Sequence, residues 1–153
     1  MVAGNVIAGH SFAAVAVEGS TSSDGVFISG NSMLWNAFGI DLYPWGSTPN
    51  DPGDIDAGQN GLQNYPVLAL QGGTLSGELD STPNTDFLIE IYETDTPTGN
   101  EGTRYLTSVK LMTDAAGLAS FALILPSGAG PYITATATDM RSRSTSEFCD
   151  PVS

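Results

Sequence analysis

Basic residues are almost missing from this 153-residue chain. Arg104, Lys110, Arg141 and Arg143 stand against seventeen carboxylates, giving a formal net charge of −13. A surface of that sign repels phosphate backbones and argues against nucleic-acid binding. It tolerates cations and resists non-specific association, and its plainest reading is solubility for a β-rich chain. Cysteine occurs once, at Cys149, so no disulfide can close within the chain. Histidine also occurs once, as His10 near the opposite end, which leaves Cys149 without the adjacent base that activates a thiol nucleophile. No apolar run reaches the ~18 residues that suggest a membrane span. The N-terminal MVAGNVIAGHSFAAVAVEG lacks the basic n-region of a secretion signal, so an exported form is expected to be a piece of a longer chain. Zinc-ligand spacing, a phosphate-binding glycine loop and a nucleophile elbow are missing as well.

What is present is β-grammar. Apolar residues form 41% of the chain, enough for a core, while only 14% is charged. Ser, Thr, Asn and Gly supply the remaining polarity, a composition that suits a bacterial extracellular protein. Residues 5–42 carry an imperfect repeat in which NVIAGHSF matches VFISGNSM, with Ile7 over Ile28 at a spacing of 21 residues. AAVAVEG then echoes AFGIDL. That period fits one coil of a parallel β-helix, with Ile7, Val15, Val17, Ile28, Ile40 and Leu42 facing inward and Asn and Gly at the corners. Such coils bury themselves only against neighbours, and about three are needed for stability, so residues 1–49 read as the C-terminal coils of a longer solenoid. A pair of hairpins belonging to the second half is the competing reading. Trp35, Phe38, Tyr43 and Trp45 crowd the end of this region, as an aromatic cap or as a sugar-stacking platform.

From Pro66 onward longer alternating segments are punctuated by turn clusters: 66–72, 74–81, 86–94, 104–113, 118–126, 132–139 and 146–152. Phe87, Ile89 and Ile91 share one face of their segment. Ile133, Ala135 and Ala137 share one face of theirs, opposite its threonines. Seven strands in about 85 residues point to an immunoglobulin-like sandwich over 66–153. The expected fold class is therefore all-β: last coils of a parallel β-helix, an ordered junction at 50–65, and an antiparallel β-sandwich. In the junction, Leu62, Tyr65, Val67 and Leu68 are expected to anchor the stretch against the first sandwich strand and the aromatic cap.

The solenoid end GIDL, the junction NDPGDIDAGQNGLQNYPVL and the series GELDSTPNTDFLIEIYET, TDAAGLASFALILP and ITATATDMRSRSTSEF resemble an arrangement in large bacterial surface or secreted proteins. There a right-handed parallel β-helix passes through a similar junction into a β-sandwich. The resemblance covers roughly residues 5–150 and is most specific at the junction. It implies surface exposure and a structural or adhesive role, and it carries no catalytic residues. This chain departs from the pattern in the loop TDTPTGNEGTRYL and in the turn MRSRS, which sets two arginines at one end of the sandwich.

Chemistry-bearing residues are few. Glu18, Asp24, Asp41 and His10 lie in the coil region, and Glu18 and Asp41 follow equivalent strands, so a carboxylate pair of the glycosidase kind is one reading and coil-end polarity the other. Asp51, Asp54, Asp56 and Asn60 put four hard oxygen donors within ten residues, next to Gly53 and Gly58. Ca²⁺ takes six to eight such oxygens. Yet DIDAG has its glycine one position early for an EF-hand and no closing glutamate, so Asx-turns in a connector explain the same residues. The expectation for function is a non-catalytic extracellular structural or adhesive module, with a carbohydrate-binding or carbohydrate-active β-helix and a self-assembling filament subunit as alternatives. Partners expected on this reading are other surface proteins or polysaccharide, further N-terminal coils, and copies of the chain itself. Neither nucleic acid nor membrane insertion is expected.

Overall fold

The computed structural model describes residues 1–19, 25–98 and 100–153, and every regular element among them except one short turn is a strand. Six short strands come first: Val2–Ala3 (β1), Val6–Ala8 (β2), Ala13–Val17 (β3), Ile28–Ser29 (β4), Ser32–Leu34 (β5) and Phe38–Leu42 (β6). β1 pairs with β4, β2 with β5 and β3 with β6, all in parallel. Residues 2–17 thus lie as one rung beside a second rung, 28–42. Val17, Ile28, Met33, Ile40 and Leu42 are buried, whereas Ile7 and Val15 are only partly covered.

The register corrects the repeat read from the sequence. Val2 stands beside Ile28, Ile7 beside Met33 and Val15 beside Ile40, an offset of 26 or 25 residues where the apolar match suggested 21. Asparagine selects this register. Asn31 Oδ1 accepts both the backbone N–H and the Nδ2 of Asn5, each at 3.0 Å, and Asn31 Nδ2 donates to the Val2 carbonyl at 2.9 Å. VAGN over ISGN is therefore the structural repeat. A corner held by stacked amides has no signature in hydrophobic periodicity.

Six longer strands follow: Val67–Gln71 (β7), Thr74–Asp80 (β8), Asp86–Thr94 (β9), Arg104–Met112 (β10), Leu118–Ile124 (β11) and Tyr132–Asp139 (β12). They form two antiparallel sheets, β10-β9-β12 and β11-β8-β7. Period-2 alternation turns Leu75 and Leu79 from one sheet, and Phe87, Ile89, Ile91 and Ile133 from the other, into a shared core. Each is almost fully buried, a contribution of about 1.5–3 kcal/mol per side chain. Val67 points the other way at 64% exposure, so it anchors nothing, while Tyr65 and Leu68 pack on this core.

The segment expected as a seventh strand, 146–152, is not a regular one. Ser146, Cys149 and Val152 donate to the carbonyls of Ala137, Ala135 and Ile133. The tail spends three residues for every two of β12, so no continuous ladder can form. Its side chains are freed to turn toward the first half of the molecule.

That first half covers the second face of β10-β9-β12. Tyr92 and Phe148, with ring centroids 5.3 Å apart, join Val17, Ile28, Met33, Ile40 and Leu42 in a second apolar cluster, against which Leu62 of the junction also packs. Gly39 and Gly102 make the approach close: a Cβ would lie 2.7 Å from the Phe148 ring at the first and 2.7 Å from the Tyr92 ring at the second. The threonine face of β12 is consequently buried, with Thr134, Thr136 and Thr138 at 1% exposure or less.

Polar side chains close the outer edge of the second rung, where aromatic residues were expected to cap it. Val26 N–H donates to Asn60 Oδ1 at 2.9 Å, Ile28 N–H to Thr145 Oγ1 at 3.0 Å and Gly30 N–H to Tyr92 Oη at 2.9 Å. Met33 and Gly39 donate to the carbonyls of Gly102 and Asn100, and Leu42 to Glu147 Oε1 at 2.9 Å. Of those aromatic residues all but Trp35 pack on rings nearby, with Trp45 edge-on to Phe12 at 5.0 Å and to Tyr43 at 5.3 Å, and Phe38 on Phe12 at 6.3 Å.

Asn60 is fully buried and also donates to the carbonyls of Val26 and Thr145. Asn60→Ala strands one amide and two carbonyls, and is expected to cost about 3 kcal/mol. Denaturant unfolding should show a lower midpoint at unchanged slope, with Val67→Ala within about 0.5 kcal/mol of the parent. Equal effects of the two substitutions would refute the capping role.

Candidate functional site

The junction is closed by its asparagines. Asn50 Oδ1 accepts the Tyr65 N–H at 3.0 Å, and its Nδ2 returns a bond to the Tyr65 carbonyl at 2.8 Å. Asn64 does the same to Asp51, accepting its N–H at 3.1 Å and donating to its carbonyl at 2.6 Å, and donates also to the Asp80 carbonyl. Side-chain amides here take the place of a backbone ladder. The stretch between them makes a compact loop rather than a tether, and Gly53 N–H ties it to Asp80 Oδ1.

Inside this loop Asp51, Asp54 and Asp56 bring carboxylate oxygens within 4.8 Å of one another. Asp54 is held from both sides: Ser81 Oγ donates to Oδ2 in a short hydrogen bond, and Asn64 N–H donates to Oδ1 at 3.0 Å. Its backbone adopts φ +56, a left-handed conformation that aspartate accepts more readily than most residues. Burial pushes its carboxyl up to about 6, opposed by the Ser81 and Asn64 bonds and reinforced by the charges of Asp51 and Asp56. Burial first, then Asp51, raises Asp56 as well. Asp51 Oδ2 accepts the Ile55 N–H, while its Oδ1 is buried with no hydrogen-bond partner. Three carboxylates so arranged repel, and either a proton on Asp54 or a cation among them relieves the repulsion.

Asn60, the fourth expected donor, borders a cleft with Asp54 and Asp56, but its amide is turned to the second rung, with Oδ1 committed to Val26. Ser81 and Asn64 were not among the sequence candidates, because they position a carboxylate and bear no charge themselves. The coil-region candidates are dispersed. Asp41 is fully buried beside Ala16, Glu18 and His10 are exposed, and Asp24 falls outside the described residues. Trp35 is 77% exposed and makes no ring contact among the described residues, unlike Tyr43 and Trp45. Burial pushes the Cys149 thiol up to about 11, which keeps it protonated and unreactive at neutral pH.

Burial also raises Glu90, Glu147 and Asp41 at the contact between the halves. Glu90 accepts Ser29 Oγ at 2.9 Å and Tyr92 Oη at 3.1 Å, and Glu147 accepts the amides of Leu42 and Thr48. In contrast, Arg104 lowers Glu93 through a 2.6 Å ion pair. Neither protein-family models nor curated proteins give a match to this chain.

The raised carboxyls set a pH dependence. An acid raised on folding contributes stability that is full below its unfolded value, 3.8 for Asp54, and is lost as pH rises through about 6. Lowered acids such as Glu93 act oppositely, losing their contribution as pH falls through the acid range. The melting temperature is therefore expected to be higher near pH 5 than at pH 7.5. Asp54→Asn should remove a large part of that difference, and a melting temperature flat across the interval would contradict the assignment.

Proposed function

We propose that this chain is a non-catalytic structural and adhesive module of a bacterial surface or secreted protein. In this reading its first rungs are the last coils of a parallel β-helix and its two sheets an immunoglobulin-like sandwich that terminates them. Parallel pairing at a nearly constant offset supports the coils, and two facing antiparallel sheets of short strands support the sandwich. The observation that carries the reading is the asymmetry of the ladder. One edge of the second rung is closed by single atoms from the junction and the sandwich half, whereas β1, β2 and β3 each pair on one side only among the described residues. An unpaired edge is a template for another strand, and further coils of the same kind fit it.

The same edge favours self-assembly as a second reading, with a second copy in place of a coil. The net charge of −13 opposes that association except at high salt. Fusing an extra rung copied from residues 2–27 in place of Met1, which keeps the 26-residue offset, tests the first reading. The melting temperature should rise by several degrees over a fusion of the same residues in scrambled order. No rise would count against the coil assignment, and sedimentation of the unmodified chain as a dimer or larger species would favour self-assembly.

In this reading Ca²⁺ stiffens the joint, held by Asp51, Asp54 and Asp56 with water completing its oxygen shell. The buried, unpartnered Asp51 Oδ1 supports that role. About 5 mM Ca²⁺, above the ~0.1–1 mM range typical of extracellular modules, should raise the melting temperature at pH 7.5 and be reversed by EGTA. The rise should shrink at pH 5, where Asp54 holds a proton, and vanish in Asp51→Asn/Asp56→Asn. A melting temperature indifferent to Ca²⁺ at pH 7.5 rejects the metal.

A further inference from the structure

We propose that Trp35, with Asn36, Asp95, Thr98, Asn100 and Glu101, forms a binding site for a neutral saccharide. The inference goes beyond the scaffold reading and does not depend on it. It starts from a break in the repeat. Ala8 pairs with Leu34, so the next corner places Gly9 beside Trp35, and both hold left-handed backbone, at φ +77 and φ +57. Glycine suits that conformation and a bulky side chain resists it. At the preceding corner, where Gly4 stands beside Gly30, both rungs keep glycine. A tryptophan at the second corner thus strains the backbone. It recovers little by packing, since Trp35 is 77% exposed. A residue that costs the fold on both counts points to a role outside it.

The indole borders a cleft of about 340 Å³ whose other wall is polar. Asn36, Asp95, Thr98, Asn100 and Glu101 line it. Three of these are held by hydrogen bonds within the protein. Asn36 Nδ2 donates to the Ile7 carbonyl at 3.0 Å and to Glu101 Oε2 at 2.9 Å, and Asn36 Oδ1 accepts the His10 N–H at 3.1 Å. Asp95 Oδ1 accepts Thr103 Oγ1 at 3.4 Å. Carboxylate, amide and hydroxyl groups held opposite one open aromatic face match a polyol ring, whose C–H face covers the indole while its hydroxyls bond to the wall. No basic side chain lines the cleft, so a sulfated or uronic-acid chain would meet only repulsion. A single ring is no cage for a quaternary ammonium ion.

The chain has two tryptophans, so Trp45→Phe leaves Trp35 as the sole indole reporter. Titrating that variant with neutral hexaoses of β-1,4-glucose, β-1,4-mannose and α-1,4-glucose should give saturable fluorescence change with at least one. Oligogalacturonate and choline serve as charged counter-probes and should give none. Trp35→Gly, which relieves the backbone, is expected to weaken binding at least tenfold, measured by calorimetry, with the melting temperature within about 2 °C of the parent. Asp95→Ala should weaken binding by a similar factor. The proposal is overturned if no neutral probe saturates, if a charged probe binds better, if binding survives Trp35→Gly, or if that variant loses its fold, which would make the indole a structural element.

Discussion

A parallel rung leaves a row of backbone donors and acceptors along its last edge, and the arrangement of this molecule follows from how those groups are satisfied. A buried, unpaired amide costs about as much as a lost hydrogen bond or more. Here the partners come from three separate places in the chain: the junction through Asn60, the end of β9 and the loop after it through Tyr92 and Gly102, and the C-terminal tail through Thr145 and Glu147. No single strand could reach all of them. The edge therefore ties the two halves at several points. Tyr92 and Phe148 fill the space between with apolar surface.

The same constraint explains why a chain so rich in carboxylates buries several of them. Glu90 and Glu147 are at most 5% exposed, and each accepts two hydrogen bonds at the contact. Two oxygens on one flexible stem can meet donors at irregular spacing, which a strand carbonyl cannot. The cost is desolvation of the charge, seen in their raised proton affinity. Threonine offers a cheaper solution on β12. Thr138 and Thr145 share a hydroxyl–hydroxyl bond at 2.9 Å, and Thr134 donates to the Cys149 carbonyl at 2.7 Å. Threonine has the β-branched shape that a strand prefers and adds a donor no aliphatic residue has.

The longer strands were legible in the sequence because period-2 alternation is itself the mark of a sheet with a single core face. Phe87, Ile89 and Ile91 on β9 and Ile133, Ala135 and Ala137 on β12 needed no other signal. Three features were not legible, for one shared reason. The 26-residue register rests on Asn5 and Asn31, the closed junction on Asn50 and Asn64, and the edge cap on Asn60 and Thr145. Each is a polar side chain standing in for backbone, and hydropathy counts such residues as surface. The threonine face of β12 misled in the same way, since alternation identifies two faces and cannot say that the polar one is also covered. At the candidate metal cluster the charged members could be read off, but Ser81 and Asn64, which orient Asp54, come from outside the acidic run or look like filler within it.

Termination by side chains has a directional consequence. A strand laid along the second rung would offer its own free edge to the next, and the ladder would continue. Asn60, Thr145, Tyr92 and Glu147 instead deliver isolated side-chain atoms from separate parts of the chain, and isolated atoms make no ladder to copy. The first rung has no such cover among the described residues: β1, β2 and β3 keep one side without a strand. Within the parallel ladder, then, the described residues leave a strand edge open at one end and cover it with side-chain atoms at the other. That polarity comes from where polar atoms sit rather than from any difference in hydrophobicity between the rungs. It persists whether the next strand belongs to the same chain or to another.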